Sequence, residues 1–248
     1  MIKLFVTDLD GCISFPFRTP DWDSITEIRR LNRESRTDPI IPPLTVCTGR
    51  PYPYAEAVSQ WLDVQHPFIF ESAAMYHWKG NRVETLLENE EKELEPIVEF
   101  KKWIKTEILP LFPTAVLEFT KMMDAGIVAH EKEIIDEIYP IVKNELERRN
   151  SPLEVHITDV SVNILLPGNN KGRGIGMLAD SMGVALREIA YIGDTGGDIP
   201  ALKIVGKPFS PENATKAVKE VSETIALKTS GAVLEAYRRV IHYNRSLQ

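Results

Sequence analysis

Short apolar runs alternate with amphipathic stretches over the first third of the chain. Residues 2–7, Ile-Lys-Leu-Phe-Val-Thr, have the length and β-branched, aromatic character of a strand buried on both faces. A loop carrying Pro16 and Pro20 follows. Asp23 and Ser24 stand where a helix over residues 24–34 would be capped, and residues 38–43, with three prolines, break it. Residues 44–47 predict a second strand, residues 51–62 a helix with prolines in its first turn, and residues 67–70 a third strand. That rhythm predicts a parallel sheet with crossover helices.

Near residue 78 the pattern changes. Residues 82–87 predict a strand, and residues 90–109 an amphipathic, charged helix with Leu94, Ile97, Val98, Trp103, Ile104 and Ile108 at near-helical spacing. Strand pairs over 115–120 with 126–130 and 153–158 with 161–166 flank a second charged helix over 133–149, which describes an α+β layer on an antiparallel sheet. The first rhythm resumes at Lys171, with a helix over 172–183, a strand over 189–192, and a glycine-rich loop leading to a helix near Pro200. A strand over 206–209 and helices over 212–221 and 230–243 complete the chain. The expected fold is therefore α/β, a Rossmann-like parallel-sheet core of residues 1–77 and 168–248 with an α+β domain, residues 78–167, inserted as a cap.

Composition narrows the function classes. With 248 residues and 43% hydrophobic content the chain can bury a sizeable core, and a net charge of −7 without a basic block argues against nucleic acid as a partner. Cys12 and Cys47 make no disulfide framework, no 18-residue apolar run suggests a membrane span, and no charged leader precedes the first strand. A reduced, cytoplasmic protein is expected. The five histidines lack ligand spacing, so zinc is not expected.

Candidate chemistry begins where the first strand ends. Asp8 and Asp10 follow it directly, and Gly11 lets the chain turn away. In an open α/β sheet the crevice beyond the carboxyl ends of the strands binds ligands, and both side chains are expected to face it. Carboxylates this close need a cation between them or a shared proton. Either arrangement suits phosphoryl transfer, one Asp attacking phosphorus while the other protonates the leaving oxygen. Alone, Asp-Leu-Asp-Gly is equally an ordinary solvated turn. Three further strand or helix ends shift that balance. Thr48, with Gly49 and Arg50, offers a hydroxyl and a bare N–H to a phosphate oxygen; Lys171 opens a helix, where its ammonium would neutralise charge; Asp194 and Asp198 supply hard oxygens suited to Mg²⁺.

In order and placement these motifs resemble the four motifs of the haloacid dehalogenase (HAD) superfamily, and the likeness covers nearly the whole chain. Asp8-Leu9-Asp10-Gly11 matches the first, Thr48-Gly49-Arg50 the second, Lys171-Gly172 the third, and Gly193-Asp194 through Asp198 the fourth. The insert between the second and third is similar to the type IIB cap of Cof-like and sucrose-phosphate phosphatases. Phe70-Glu71-Ser72-Ala73-Ala74 and Asn213-Ala214 resemble further segments of that group.

The resemblance implies an Mg²⁺-dependent phosphomonoester hydrolase acting on a small phosphorylated metabolite, a sugar phosphate above all. Asp8 would be the nucleophile, Asp10 the acid and base, and Lys171 the bridge between Asp8 and the phosphoryl group. Leu9, Thr48, Gly49, Asp8 and Lys171 would bind phosphate, and Asp8, Asp10 and Asp194 would serve the metal, with Asp198 either binding it directly or orienting its water and Lys171. From the cap, Glu118 and Lys121 would reach the substrate, joined by Arg50 and Asn170; solvated edge-strand charges explain the same cap letters. Two departures stand out: Cys12 replaces a common Thr, and Gly197 the Asn usual before the last Asp. A phosphomutase on the same scaffold and a non-catalytic phosphate-binding regulator are the competing readings.

Overall fold

The computed structural model describes residues 1–248 and divides into two compact units, Met1–Thr85 with Asn170–Gln248, and Leu86–Asn169. The first unit opens with β1 (Leu4–Thr7), α1 (Trp22–Glu34), β2 (Leu44–Val46), α2 (Tyr52–Trp61), β3 (Phe68–Phe70), β4 (Ala74–His77) and β5 (Arg82–Glu84). The second contains α3 (Glu90–Trp103), β6 (Val116–Leu117), β7 (Ile127–Val128), α4 (Lys132–Arg148), β8 (Glu154–Ile157) and β9 (Ser161–Leu165). The chain then completes the first unit with α5 (Lys171–Met182), β10 (Ile189–Ile192), α6 (Ile199–Leu202), β11 (Lys207–Pro211), α7 (Lys216–Lys219), β12 (Glu223–Ile225) and α8 (Thr229–Arg245).

The core sheet is parallel, in the order β12-β11-β10-β1-β2. Leu4, Phe5 and Val6 are fully buried, as a central strand covered on both faces requires. From β1 the chain winds outward to β2 on one side, and its last third winds outward from β10 on the other. Strand order therefore reverses between β1 and β10. The loops leaving these strands diverge and open a crevice at their carboxyl ends.

Several expected elements take a different form. The third strand does not extend the parallel sheet; Ile69 makes a single parallel bridge to Cys47, and β3 pairs antiparallel with β4, and β4 with β5. The chain doubles back because Glu71 and Ser72 both adopt left-handed conformations, φ 44° and 70°. Tyr52, Phe68, Tyr76 and Trp78 pack against one another beside this hairpin. Residues 78–85 consequently join the first unit, and its boundary falls after Thr85 rather than after residue 77. Helix α1 starts at Trp22, earlier than expected, because Asp21 caps it by accepting the Asp23 and Ser24 N–H groups. The helix expected over 212–221 shrinks to α7, since Thr215 N–H donates to the Asp194 carbonyl and holds the preceding residues in a loop.

In the second unit the strands form an antiparallel sheet ordered β6-β7-β9-β8. The apolar faces of α3 and α4 bury Ile97 and Phe100, and Ile135, Ile138, Val142 and Leu146, respectively. The helix expected to run on to residue 109 continues past Trp103 as one wider, π-type turn, Ile104–Ile108. No helix in the protein is long and apolar enough to cross a membrane.

Candidate active site

β1 delivers Asp8 to the crevice, where its N–H donates to the Ile192 carbonyl at the end of β10 (3.0 Å). Gly11 has φ 68°, and a Cβ there would lie 1.8 Å from Asp194 Oδ2, so the turn tolerates no side chain. Its carbonyl accepts from Asn213 Nδ2 (3.0 Å), while Asn213 Oδ1 accepts the Thr229 N–H (3.1 Å), tying the turn to the start of α8. Gly193 is needed as well, since a Cβ would fall 2.4 Å from Asp198 Cγ.

α5 presents Lys171 from its first turn. The side chain of Asn170 caps this helix by accepting the Arg173 N–H (3.2 Å). Lys171 Nζ lies 2.8 Å from Asp8 Oδ2 and 2.6 Å from Asp198 Oδ1. Asp198 is fully buried and both its oxygens are engaged. Oδ1 also accepts from the Tyr191 hydroxyl (2.5 Å), and Oδ2 accepts from Asp194 N (3.1 Å), Thr195 N (2.9 Å) and Thr195 Oγ1 (3.2 Å).

Carboxylate oxygens of Asp8, Asp194 and Asp198 lie within 4.8 Å of one another, all buried. Burial pushes the Asp8 carboxyl up to about 7, against the pull of Lys171. Burial, with Asp198 and Asp8 nearby, pushes Asp194 up to about 8. Burial acts on Asp198 in the same sense, but Lys171, Tyr191 and the Thr195 N–H together hold it below the ordinary carboxylate value. The two acids with raised values are those with fewer hydrogen-bond donors than Asp198, and Asp194 Oδ1 is buried with no hydrogen bond at all. Hard, unpaired oxygens facing an excess of negative charge fit a divalent cation such as Mg²⁺, for which Asp8 and Asp194 have the free valence.

β2 ends near the same crevice. Thr48 stands two residues beyond Val46, which pairs with Thr7; it is buried, and its Oγ1 accepts the Arg50 N–H (3.1 Å). Leu9 turns inward, and its carbonyl accepts from Cys12, Ile13 and Ser14. Arg50 is not a free ligand for a substrate, as expected from sequence, but grips Asp10 with a two-pronged bond, Nε to Oδ2 (2.6 Å) and Nη2 to Oδ1 (3.1 Å). Its guanidinium lies 5.1 Å from the Tyr54 ring centroid. Asn170, expected to meet substrate, is occupied as a cap. Cys12 takes no catalytic position: its thiol is buried against the Ile192 carbonyl, and burial pushes its pKa well above the ordinary value.

The cap candidates lie in the second unit. Lys121 Nζ contacts Asp124 Oδ2 (2.7 Å), Glu118 Oε2 (3.0 Å) and Asn163 Oδ1 (3.0 Å), so all three ammonium protons have acceptors within that unit. Lys101 donates to the Lys121 carbonyl. Gly126 leaves room for this group, since a Cβ would sit 2.9 Å from Glu118 Oε2. Lys121, expected to touch the substrate, thus has its ammonium held by acceptors of its own unit. Tyr191 and Asp124 were not anticipated: an aromatic inside an apolar run reads as core, and an Asp at a hairpin reads as solvated.

Comparison with known proteins agrees with this geometry. The profile of the haloacid dehalogenase-like hydrolases matches residues 104–236. A phosphoglycolate phosphatase of Methanopyrus kandleri is 23% identical over 245 residues, covering 96% of this chain and 97% of that protein. One of Methanothrix thermoacetophila is 23% identical over 251 residues, covering 99% and 98%. Among solved structures, a Thermoplasma acidophilum protein superposes with a TM-score of 0.75 at 18% identity over 97% of this chain and 98% of the other. A sucrose-phosphatase of Synechocystis, solved with sucrose and phosphate, gives 0.66 at 16% identity over 97% and 98%. With the Asp8, Lys171, Asp194 and Asp198 cluster at the switch point of a parallel sheet, and a family profile spanning more than half its length, the chain belongs to the haloacid dehalogenase-like hydrolases.

Proposed function

We propose that the protein is an Mg²⁺-dependent phosphomonoester hydrolase that works through an aspartyl-phosphate on Asp8. The observation that carries this reading is a single ammonium, Lys171, bonded to Asp8 and Asp198 beside the unpartnered oxygen of Asp194. It leaves one carboxylate pre-aimed and an electrostatic site built for anionic oxygens. Asp8 attacks phosphorus and the bond to the leaving oxygen breaks. Asp10, released from its Arg50 pair and protonated when substrate is bound, gives its proton to that oxygen, so the alcohol departs neutral. Asp10 then takes a proton from water, the hydroxide attacks the acyl phosphate, and inorganic phosphate leaves with Asp8 restored. The Thr48 hydroxyl and the N–H groups around Leu9 and Gly49 hold the phosphoryl oxygens, and Lys171 neutralises charge as it builds on them. Bound by Asp8 and Asp194 with the Asp10 carbonyl, Mg²⁺ would supply further neutralisation of phosphate charge.

The substrate is proposed as a small phosphomonoester. The names of its relatives put 2-phosphoglycolate first among the compounds to test, with sugar phosphates next. Hydrolysis of a generic aryl phosphate with and without Mg²⁺, in the parent and in Asp8→Asn, tests the reading. Turnover that needs Mg²⁺ and falls at least about a thousandfold in the variant supports it. A parent without turnover leaves the non-catalytic regulator standing. Isomerisation of a hexose phosphate without phosphate release would favour the mutase.

A further inference from the structure

Tyr191 is out of place for an interior strand residue. It sits fully buried in β10, among Leu4, Val6, Cys47, Ile69, Ile175 and Leu178. Aliphatic side chains fill such a position at no polar cost, whereas a phenol must find an acceptor for its hydroxyl. The hydroxyl finds one in Asp198 Oδ1 at 2.5 Å. The same oxygen takes the Lys171 ammonium at 2.6 Å, while Oδ2 takes the donors of Asp194 and Thr195. Donors on both oxygens stop the carboxylate from turning. Lysine is a compact charge on a flexible four-carbon stem and has no fixed direction of its own. The direction in which Lys171 points is thus set by where Asp198 Oδ1 is held.

We infer that Tyr191 is a positioning residue: its buried hydroxyl fixes Asp198, and Asp198 aims Lys171 at Asp8. It touches no reacting atom. The inference rests on the proposed phosphatase reading, in which Lys171 faces the phosphoryl group, and of the two roles open to Asp198 it selects the orienting of Lys171. Pure space-filling by the ring is the competing account, and Tyr191→Phe separates the two because the ring stays and the hydroxyl goes.

Two measurements on the full-length protein decide it. In steady-state hydrolysis of an aryl phosphate with Mg²⁺, Tyr191→Phe is expected to lower kcat about tenfold with KM within about twofold, the loss of one hydrogen bond to a charged group. In its crystal structure Lys171 Nζ is expected to leave hydrogen-bond distance of Asp8 Oδ2. Lys171 unmoved, or kcat and KM unchanged with only a lower Tm, overturns the inference while leaving the phosphatase reading intact if Asp8→Asn still abolishes turnover. If the parent itself hydrolyses nothing, the phosphatase reading falls, and the position of Lys171 in the variant alone decides whether Tyr191 aims it.

Discussion

Two lysines, Lys171 in the first unit and Lys121 in the second, are each only 6% exposed and each lie between two carboxylates. Their settings differ in how the charge closes. Around Lys121, Glu118 and Asp124 are offset by that lysine and by the nearby Lys101, and Asn163 takes the remaining ammonium proton. Burial opposes its charge, but Asp124 and Glu118 raise its pKa above the ordinary value. Around Lys171, three buried carboxylates share one ammonium; each group also holds one buried acid oxygen without a hydrogen bond, Asp194 Oδ1 here and Asp124 Oδ1 beside Lys121. A group in which two lysines offset two acids pins a fold; one in which the acids outnumber the ammonium suits the divalent cation and anionic substrate of the proposed function.

The contrast can be broken most decisively by exchanging each lysine for Met. Lys171→Met is expected to lower kcat/KM on an aryl phosphate by at least about a hundredfold, while Lys121→Met leaves it within about threefold. Equal losses would end the distinction. In urea unfolding, Lys121→Met should cost about 3 kcal/mol, because Glu118 and Asp124 are left buried without their cation.

Next in size is a difference in pH response. Between about pH 4 and pH 8 the metal-free folded protein keeps protons on Asp8 and Asp194, held near 7 and 8, that the unfolded chain has released near 3.8. The unfolded state binds fewer protons there, so stability is highest below pH 4 with respect to these two groups and is lost as pH rises through that window. Mg²⁺, bound as proposed, would favour the ionised forms and should flatten the decline. Thermal melts across that range with EDTA and with Mg²⁺ measure it, and two parallel curves would contradict the account of Asp194. The smallest effect belongs to the second unit: Asn163→Ala should cost about 1 kcal/mol by leaving one Lys121 proton unmet, with kcat unchanged.

What could be read from sequence follows a physical divide. β1 and β10 are short, mostly apolar runs followed within two residues by an Asp, so strand and acid announced themselves together. The β3–β4 hairpin was hidden because Glu71-Ser72 carries neither Gly nor Asn, the residues that ordinarily signal left-handed backbone. Lys121 misled for another reason. Its acceptor Asn163 lies in β9, distant in sequence, and only strand register reveals that its three protons are already placed. Tyr191 was hidden by its own burial, since a hydroxyl inside an apolar strand leaves no periodic trace.

Strand order also governs how the polypeptide is made. β1 leaves the ribosome well before β10 and can pair first with β2, but its other edge pairs Leu4 with Ile189 and Thr7 with Ile192. That edge stays open throughout synthesis of the whole inserted unit, exposing a fully buried strand to pairing with other nascent chains. Closure of the core sheet is accordingly a late, long-range event, and a chain truncated before β10 is expected to aggregate rather than to act as a weakened catalyst.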